Sequence, residues 1–153
     1  MGKRTVFILF LISVFISSCS PQCNQWKLAV IKADSTAARY VKAYLPACNT
    51  FNGVETVLIS CNGNKFLYLY AFTLLFPFNS EDEEHCDVLV TVKDTKYLFT
   101  ADRLQGGQCL LLPNVAMQLI IDSLLEHTCI EIKTGRYQST LTHENFDKTY
   151  EIL

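Results

Sequence analysis

The sequence predicts a mainly β fold: an antiparallel β-sandwich or an antiparallel sheet with one or two packed helices, with an α+β domain as the alternative. Three observations favour this fold class. Seven or eight short apolar segments alternate with turn residues over positions 26–153. Val88, Val90 and Val92 recur at every second position, as in a strand with one buried face. Asn62-Gly63 is typical of a two-residue hairpin turn.

The N-terminal part of this domain is predicted to run strand, helix, strand. Trp26 to Ile31 forms the first strand, and Val54 to Cys61 is a β-rich segment that leads into the hairpin turn. Between them we expect a helix that begins at a cap on Asp34 or Ser35 and ends before Pro46. Its apolar residues recur at helical spacing: Ala37, Tyr40, Val41, Tyr44 and Leu45.

The segment Phe66 to Phe76 is apolar on both faces, and the return strand enters it near Lys65. We expect a central strand here. A loop that dips into a membrane is the alternative, since the segment is too short to cross a bilayer as a helix. Glu81 to Glu84 follows as a solvated acidic loop.

The C-terminal half is predicted to hold most of the strands and the clearest helix. One face of that helix is apolar, formed by Met117, Ile120, Ile121, Leu124 and Leu125. Turns are expected at Lys93 to Lys96, at Gly106-Gly107 and at Gly135. The strands are expected at residues 87–92, 97–101, 108–112, 128–133, 136–142 and 149–153.

The first eighteen residues have the layout of a signal peptide. Lys3 and Arg4 are followed by an apolar run from Val6 to Ile16. The run holds about a dozen residues, whereas a helix that crosses a bilayer needs about 20. A leader that is removed therefore fits better than a transmembrane helix. Small residues stand directly before a cysteine in Ile16-Ser17-Ser18-Cys19, which lets the segment extend into a peptidase cleft.

These four residues resemble the lipobox of bacterial lipoproteins, which are cut by the lipoprotein signal peptidase. The resemblance implies that diacylglycerol and a fatty acid such as palmitate on Cys19 anchor the protein in a membrane. Leucine is commoner where Ile16 stands, and glycine or alanine where Ser18 stands. Ser20, in place of aspartate, implies the outer membrane in a Gram-negative host. The alternative is an ordinary secretory leader cut nearby, with Cys19 free to form a disulfide.

The resemblance covers the leader and Cys19, and it divides the chain into three parts. Residues 1–18 are the signal peptide, residues 19–25 are a lipid-attached tether, and residues 26–153 are a single globular domain. Loss of Lys3 and Arg4 leaves eleven basic and fifteen acidic side chains, about −4 net, which argues against nucleic-acid binding. The expected location is the bacterial cell envelope, on the periplasmic or surface side of a membrane.

Six cysteines remain once Cys19 is assigned to lipid, and an even set in an exported protein indicates disulfides. No C-x-x-C pair occurs, which argues against zinc ribbons and thioredoxin-type redox sites. Free buried thiols are the alternative, and the connectivity of six cysteines has 15 solutions. The candidate disulfide cysteines are Cys23, Cys48, Cys61, Cys86, Cys109 and Cys129.

Signals of catalysis are weak. The histidines His85, His127 and His143 form no metal-spaced pair, and no nucleophile elbow, P-loop or dinucleotide motif occurs. We assign no catalytic residue, no metal and no cofactor. The expected function is a lipid-anchored binding or structural module that meets the membrane through Cys19 and an envelope protein as partner. The alternative is an anchored or secreted hydrolase whose nucleophile is Cys109, paired with His127 or His143.

Overall fold

The computed structural model describes residues 24–32, 39–49, 51–79, 82–104 and 106–153, and in these residues nine antiparallel strands form one sheet. The strand order is β1-β2-β3-β4-β7-β6-β5-β8-β9. The predicted signal peptide, Cys19 and Cys23 lie outside the described residues. The strands are β1 (Lys27–Lys32), β2 (Arg39–Leu45), β3 (Glu55–Cys61), β4 (Asn64–Tyr70), β5 (His85–Val92), β6 (Thr95–Arg103), β7 (Cys109–Leu111), β8 (Ile130–Thr134) and β9 (Tyr137–Leu141).

Two helices accompany the sheet in the described part of the chain, α1 (Asn114–Leu125) and α2 (Phe146–Tyr150). The prediction of a mainly β fold with one or two packed helices is confirmed. Neither helix is long and apolar enough to span a membrane.

Alternation with a period of two places one face of the sheet in the core. Leu58 on β3 stands between Ala43 on β2 and Leu67 on β4, and all three side chains are buried. The same face continues across the sheet, where Val90 on β5 pairs with Ile132 on β8. This inner face is covered by α1, whose buried residues are Ala116, Met117, Ile120, Ile121, Ser123 and Leu124.

The hairpin turns follow from residues that tolerate positive φ. Asn62 and Gly63 have φ of 51° and 79°, and they join β3 to β4 as predicted. Lys93 and Asp94 have φ of 47° and 68° and join β5 to β6. The predicted turn of Lys93 to Lys96 is therefore two residues shorter than expected, because Thr95 and Lys96 already pair with β5.

The predicted helix that ends before Pro46 is wrong. Residues Arg39–Leu45 form β2, which pairs with β1 on one side and β3 on the other. Ala43 and Leu45 point into the core, whereas Tyr44 lies on the opposite face. Aromatic and β-branched residues favour strands, and two neighbouring strands supply the hydrogen-bond ladder that local helical spacing cannot reveal. Residues 33–38 lie outside the described part.

The predicted central strand of Phe66 to Phe76 is correct only to Tyr70, where β4 ends. The neighbouring strands explain this end: β3 begins at Glu55 and β7 at Cys109, and both of these residues pair with Tyr70. No strand pairing continues the ladder along residues 72–76, among the described pairings. The chain leaves the sheet there as a loop.

The predicted last strand, 149–153, is also wrong, since Phe146–Tyr150 is the helix α2. Phe146 and Thr149 are buried, and the Tyr150 ring stacks on Phe146 at 5.5 Å between centroids. These contacts lie at i, i+3 and i+4, which is helical spacing.

Trp26 joins the start of β1 to the segment that follows β9. Its indole Nε1 donates to the Thr142 carbonyl at 2.8 Å, and its backbone N–H donates to the Glu144 carbonyl at 3.0 Å. Asn145 Nδ2 donates to the Trp26 carbonyl, and the Trp26 ring meets Phe146 edge to face at 4.9 Å. We call these contacts the Trp26 seam. It brings together the two strands that lie at opposite ends of the strand order.

We predict that Leu69→Asp lowers the free energy of unfolding by several kcal/mol, because it buries an unpaired charge. Leu69 on β4 is fully buried. The matched control is Leu98→Asp on β6, since Leu98 is 68% exposed. Urea unfolding followed by circular dichroism measures both variants. Equal stabilities for the two would contradict the position of β4 in the core.

Candidate functional site

The structure separates the candidate disulfide cysteines into two groups. Cys48 is disulfide-bonded. Its partner is none of the other described cysteines, because those are free thiols, and Cys23 lies outside the described residues. The expectation of bridges therefore does not hold for four of the six candidates: Cys61, Cys86, Cys109 and Cys129.

The positions of these thiols explain why they are unbridged. Cys86 on β5 points into the core, where its Sγ lies 3.0 Å from the Thr134 hydroxyl. Cys61 and Cys109 lie on the opposite face of the sheet, on strands separated by β4. Cys129 is exposed before β8. The four thiols therefore lie in three different environments, and a hydroxyl group contacts the thiol of Cys86.

Cys109 lies opposite Tyr70 in the pairing of β4 with β7. Burial raises the pKa of this thiol above its ordinary value, and the nearby Tyr70 hydroxyl offsets part of that rise. Burial also raises the pKa of Tyr70 to about 12, and the nearby Cys109 thiol adds to that rise. A nucleophilic cysteine needs a lowered pKa, so this environment disfavours the thiolate.

The two histidines proposed as partners of Cys109 lie against each other instead. The rings of His127 and His143 meet edge to face at 5.2 Å between centroids. His127 Nε2 lies 3.9 Å from Asp147 and His143 Nε2 lies 4.0 Å from Glu144. These groups line an open cleft of about 500 Å³ beside Asn145. His85 is elsewhere, between Asp82 at 2.7 Å and Asp102 at 3.4 Å.

No group of three or more His, Cys, Asp or Glu side chains within the described ranges is arranged to hold a metal ion. A cleft of about 750 Å³ opens between α1 and the β3–β4 turn, lined by Phe66, Val115 and Tyr150 among others. Its lining carries apolar and amide side chains with Lys65, whose ammonium lies 4.1 Å from the Tyr150 ring centre.

The outer face of β2, β3, β4 and β7 carries half-buried aromatic side chains, and we call it the tyrosine face. Val57 on β3 stands between Tyr44 and Tyr68, and it is 2% exposed although it points away from the core. In the next row, Tyr70 stands between Glu55 and Cys109. The ring centroids of Tyr68 and Tyr70 are 6.2 Å apart.

Charged groups on the tyrosine face share its partial burial. Lys42 Nζ lies 5.1 Å from the centre of the Tyr44 ring. Burial raises the pKa of Glu55, and the nearby Lys42 charge lowers it in part. Partial desolvation strengthens electrostatic interactions, so a ligand that covers this face would meet one cation and one carboxylate in an aromatic setting.

A second surface feature is a group of exposed apolar side chains on the loops that follow β2 and β4. Each member is 45 to 56% exposed, and we call the group the apolar rim: Phe51, Phe72, Leu74, Leu75 and Phe78. Phe72, Leu74 and Leu75 belong to the apolar segment that the sequence analysis predicted as a strand.

Comparison of the chain with protein-family models, with curated proteins and with solved structures found no match in any of the three.

Proposed function

We propose that this protein is a lipid-anchored module of the bacterial cell envelope that acts by binding, not by catalysis. Its anchor is Cys19, at the end of the lipobox-like Ile16 to Cys19. The observation that carries the binding role is the tyrosine face, a sheet surface with aromatic side chains and no helix packed on it in the described part of the chain.

The position of Trp26 supports a short tether. Trp26 is 1% exposed and is held by the Trp26 seam, so the packed domain starts there. Six residues separate Cys19 from Trp26. A chain of this length spans at most about 25 Å when fully extended, which keeps the domain next to the lipid surface.

The composition of the tyrosine face supports recognition of a protein partner. Tyrosine is enriched in protein interfaces, because it supplies a large amphipathic surface at low conformational cost. Tyr44, Tyr68 and Tyr70 are held in place by cross-strand packing, so little order has to be gained on binding. The partner we propose is an envelope protein.

The alternative, a hydrolase with a Cys109 nucleophile, is disfavoured by the contacts of the thiol. Cys109 faces Tyr70, whereas His127 and His143 pair with each other. A thiol activated by histidine needs the imidazole within hydrogen-bond reach.

We predict that Cys19→Ala abolishes incorporation of labelled palmitate and leaves the leader uncut when the full chain is expressed in a bacterium. The reason is that the thiol of Cys19 accepts the lipid, and Cys19 is the first residue after the cleavage point. Cys23→Ala is the matched control and should be labelled like the wild type. Palmitate incorporation that survives in Cys19→Ala would rule out the proposed anchor.

We predict that native alkylation at neutral pH modifies the exposed Cys129 well before Cys109. Burial raises the pKa of the Cys109 thiol, so little thiolate is present. Peptide mapping by mass spectrometry measures both sites, and denatured protein gives the unprotected rates. Faster modification of Cys109 than of Cys129 would restore the hydrolase as the better account.

The same measurement in isolated envelopes tests the binding surface. A partner on the tyrosine face slows alkylation of Cys61 and Cys109 relative to the purified protein, while the rate at Cys129 stays unchanged. Equal protection of all three cysteines in envelopes and in purified protein would argue against this face as the binding surface.

A further inference from the structure

We infer that the apolar rim enters the lipid bilayer and forms a second membrane contact, in addition to the lipid on Cys19. This inference rests on the proposed anchor for the choice of occupant. The rim holds three phenylalanines and two leucines, each at least 45% exposed. Soluble monomers rarely expose a cluster of large apolar side chains without a partner.

The chain enters the domain on the same side as the rim. Asn24 is the first described residue, and its Oδ1 lies 3.2 Å from Cys48 Sγ. Phe51 follows Cys48 by three residues, and its carbonyl accepts a hydrogen bond from Thr73 Oγ1 at 3.2 Å. The contacts thus lead from the point of entry directly to the loop that carries the rim.

The tether keeps the point of entry close to the membrane. Five residue steps separate Cys19 from Asn24, which span at most about 17 Å. A lipid held on Cys19 therefore places the rim side of the domain within reach of the bilayer surface. The occupant of the rim is therefore a lipid surface and not a soluble protein.

The loop of residues 71–78 is pinned to the domain, so its apolar side chains point outward from a fixed backbone. Phe76 is buried, and its ring lies 5.0 Å from Tyr137. The Tyr137 hydroxyl donates to the Leu74 carbonyl at 2.6 Å, and the Phe76 N–H donates to the Gly107 carbonyl. These bonds satisfy backbone groups that would otherwise be costly to bring near hydrocarbon.

Gly135 allows this docking of the loop. Its φ is +54°, and a Cβ at this position would stand only 2.6 Å from Cγ of Pro77. The β8–β9 turn can therefore lie directly under the loop.

Two guanidinium groups lie beside rings of the apolar rim. Arg136 lies 4.5 Å from the Phe51 ring centre and Arg103 lies 5.9 Å from that of Phe78. Arginine side chains commonly reach from an apolar contact toward the headgroups. Arg103 also donates to the Glu83 carbonyl, and the acidic Glu83 and Glu84 are exposed nearby. The rim is thus suited to a zwitterionic surface, where apolar burial supplies the attraction.

The test uses the full chain, purified with its lipid and reconstituted into phosphatidylcholine vesicles whose acyl chains carry bromine near the headgroup. Leu75→Trp places a reporter on the rim, and Leu98→Trp places one on a site that is 68% exposed and far from it on β6. The native Trp26 is buried and gives the same background in both variants. Flotation of the vesicles reports the lipid anchor separately.

We predict that bromolipids quench the Leu75→Trp emission and shift it to shorter wavelength, whereas Leu98→Trp is unaffected. High salt should leave the quenching unchanged.

The failures of the two proposals are distinguishable. If the protein floats with the vesicles but the Leu75→Trp emission is not quenched, the rim contact is wrong and the anchor stands. The rim would then bind a protein partner. A chain that does not float at all would overturn both the anchor and the rim contact.

Discussion

The Trp26 seam is the constraint on which the arrangement of this protein depends. The first strand and the last strand lie at opposite ends of a nine-strand order in the described part of the chain, and an open sheet of that length would leave two long exposed edges. Trp26 connects β1 to the segment after β9 through three hydrogen bonds and through packing on Phe146. The seam therefore fixes the side of the domain where the chain enters.

The domain has one buried sheet face and two surfaces that remain partly or largely exposed to solvent. The inner face of the sheet is filled by apolar side chains and α1. The tyrosine face lies on the outside of β2 to β4 and β7, and the apolar rim lies on the loops that follow β2 and β4. The rim and the tyrosine face consist of different residues, so contact of the rim with lipid leaves the tyrosines for an envelope partner. Anchoring and recognition then use separate surfaces of one small domain.

The sequence predicted the hairpins and α1 well because their signals are local. Asn62 and Gly63 require positive φ, and Met117 to Leu124 share one helical face. It failed for β2, since Tyr40, Val41 and Tyr44 fit either period and only the ladders with β1 and β3 decide between them. The predicted strand is wrong at Phe72 and Leu75. Apolar residues predict a buried strand only where neighbouring strands continue, and the starts of β3 and β7 cannot be read from this segment.

The candidate site was predicted only in part, for the same reason. The cysteine count indicated bridges, and Cys48 is disulfide-bonded, but Cys61 and Cys109 are kept apart by β4. The tyrosine face exists only through register, because Tyr44, Tyr68 and Tyr70 come from two strands that meet across Val57 and Glu55. Spacing along the chain cannot show such rows.

We propose that the rim side of the domain faces the bilayer. Hydrogen exchange of the full chain on phosphatidylcholine vesicles, compared with the Leu75→Asp variant held by the same lipid anchor, tests it most directly. Because a charge at the rim opposes insertion, we predict faster amide hydrogen exchange in that variant at residues 71–78 and 51–53. The exchange rates at the Lys93-Asp94 turn should not change. Equal exchange rates of wild type and variant at residues 71–78 would contradict the claim.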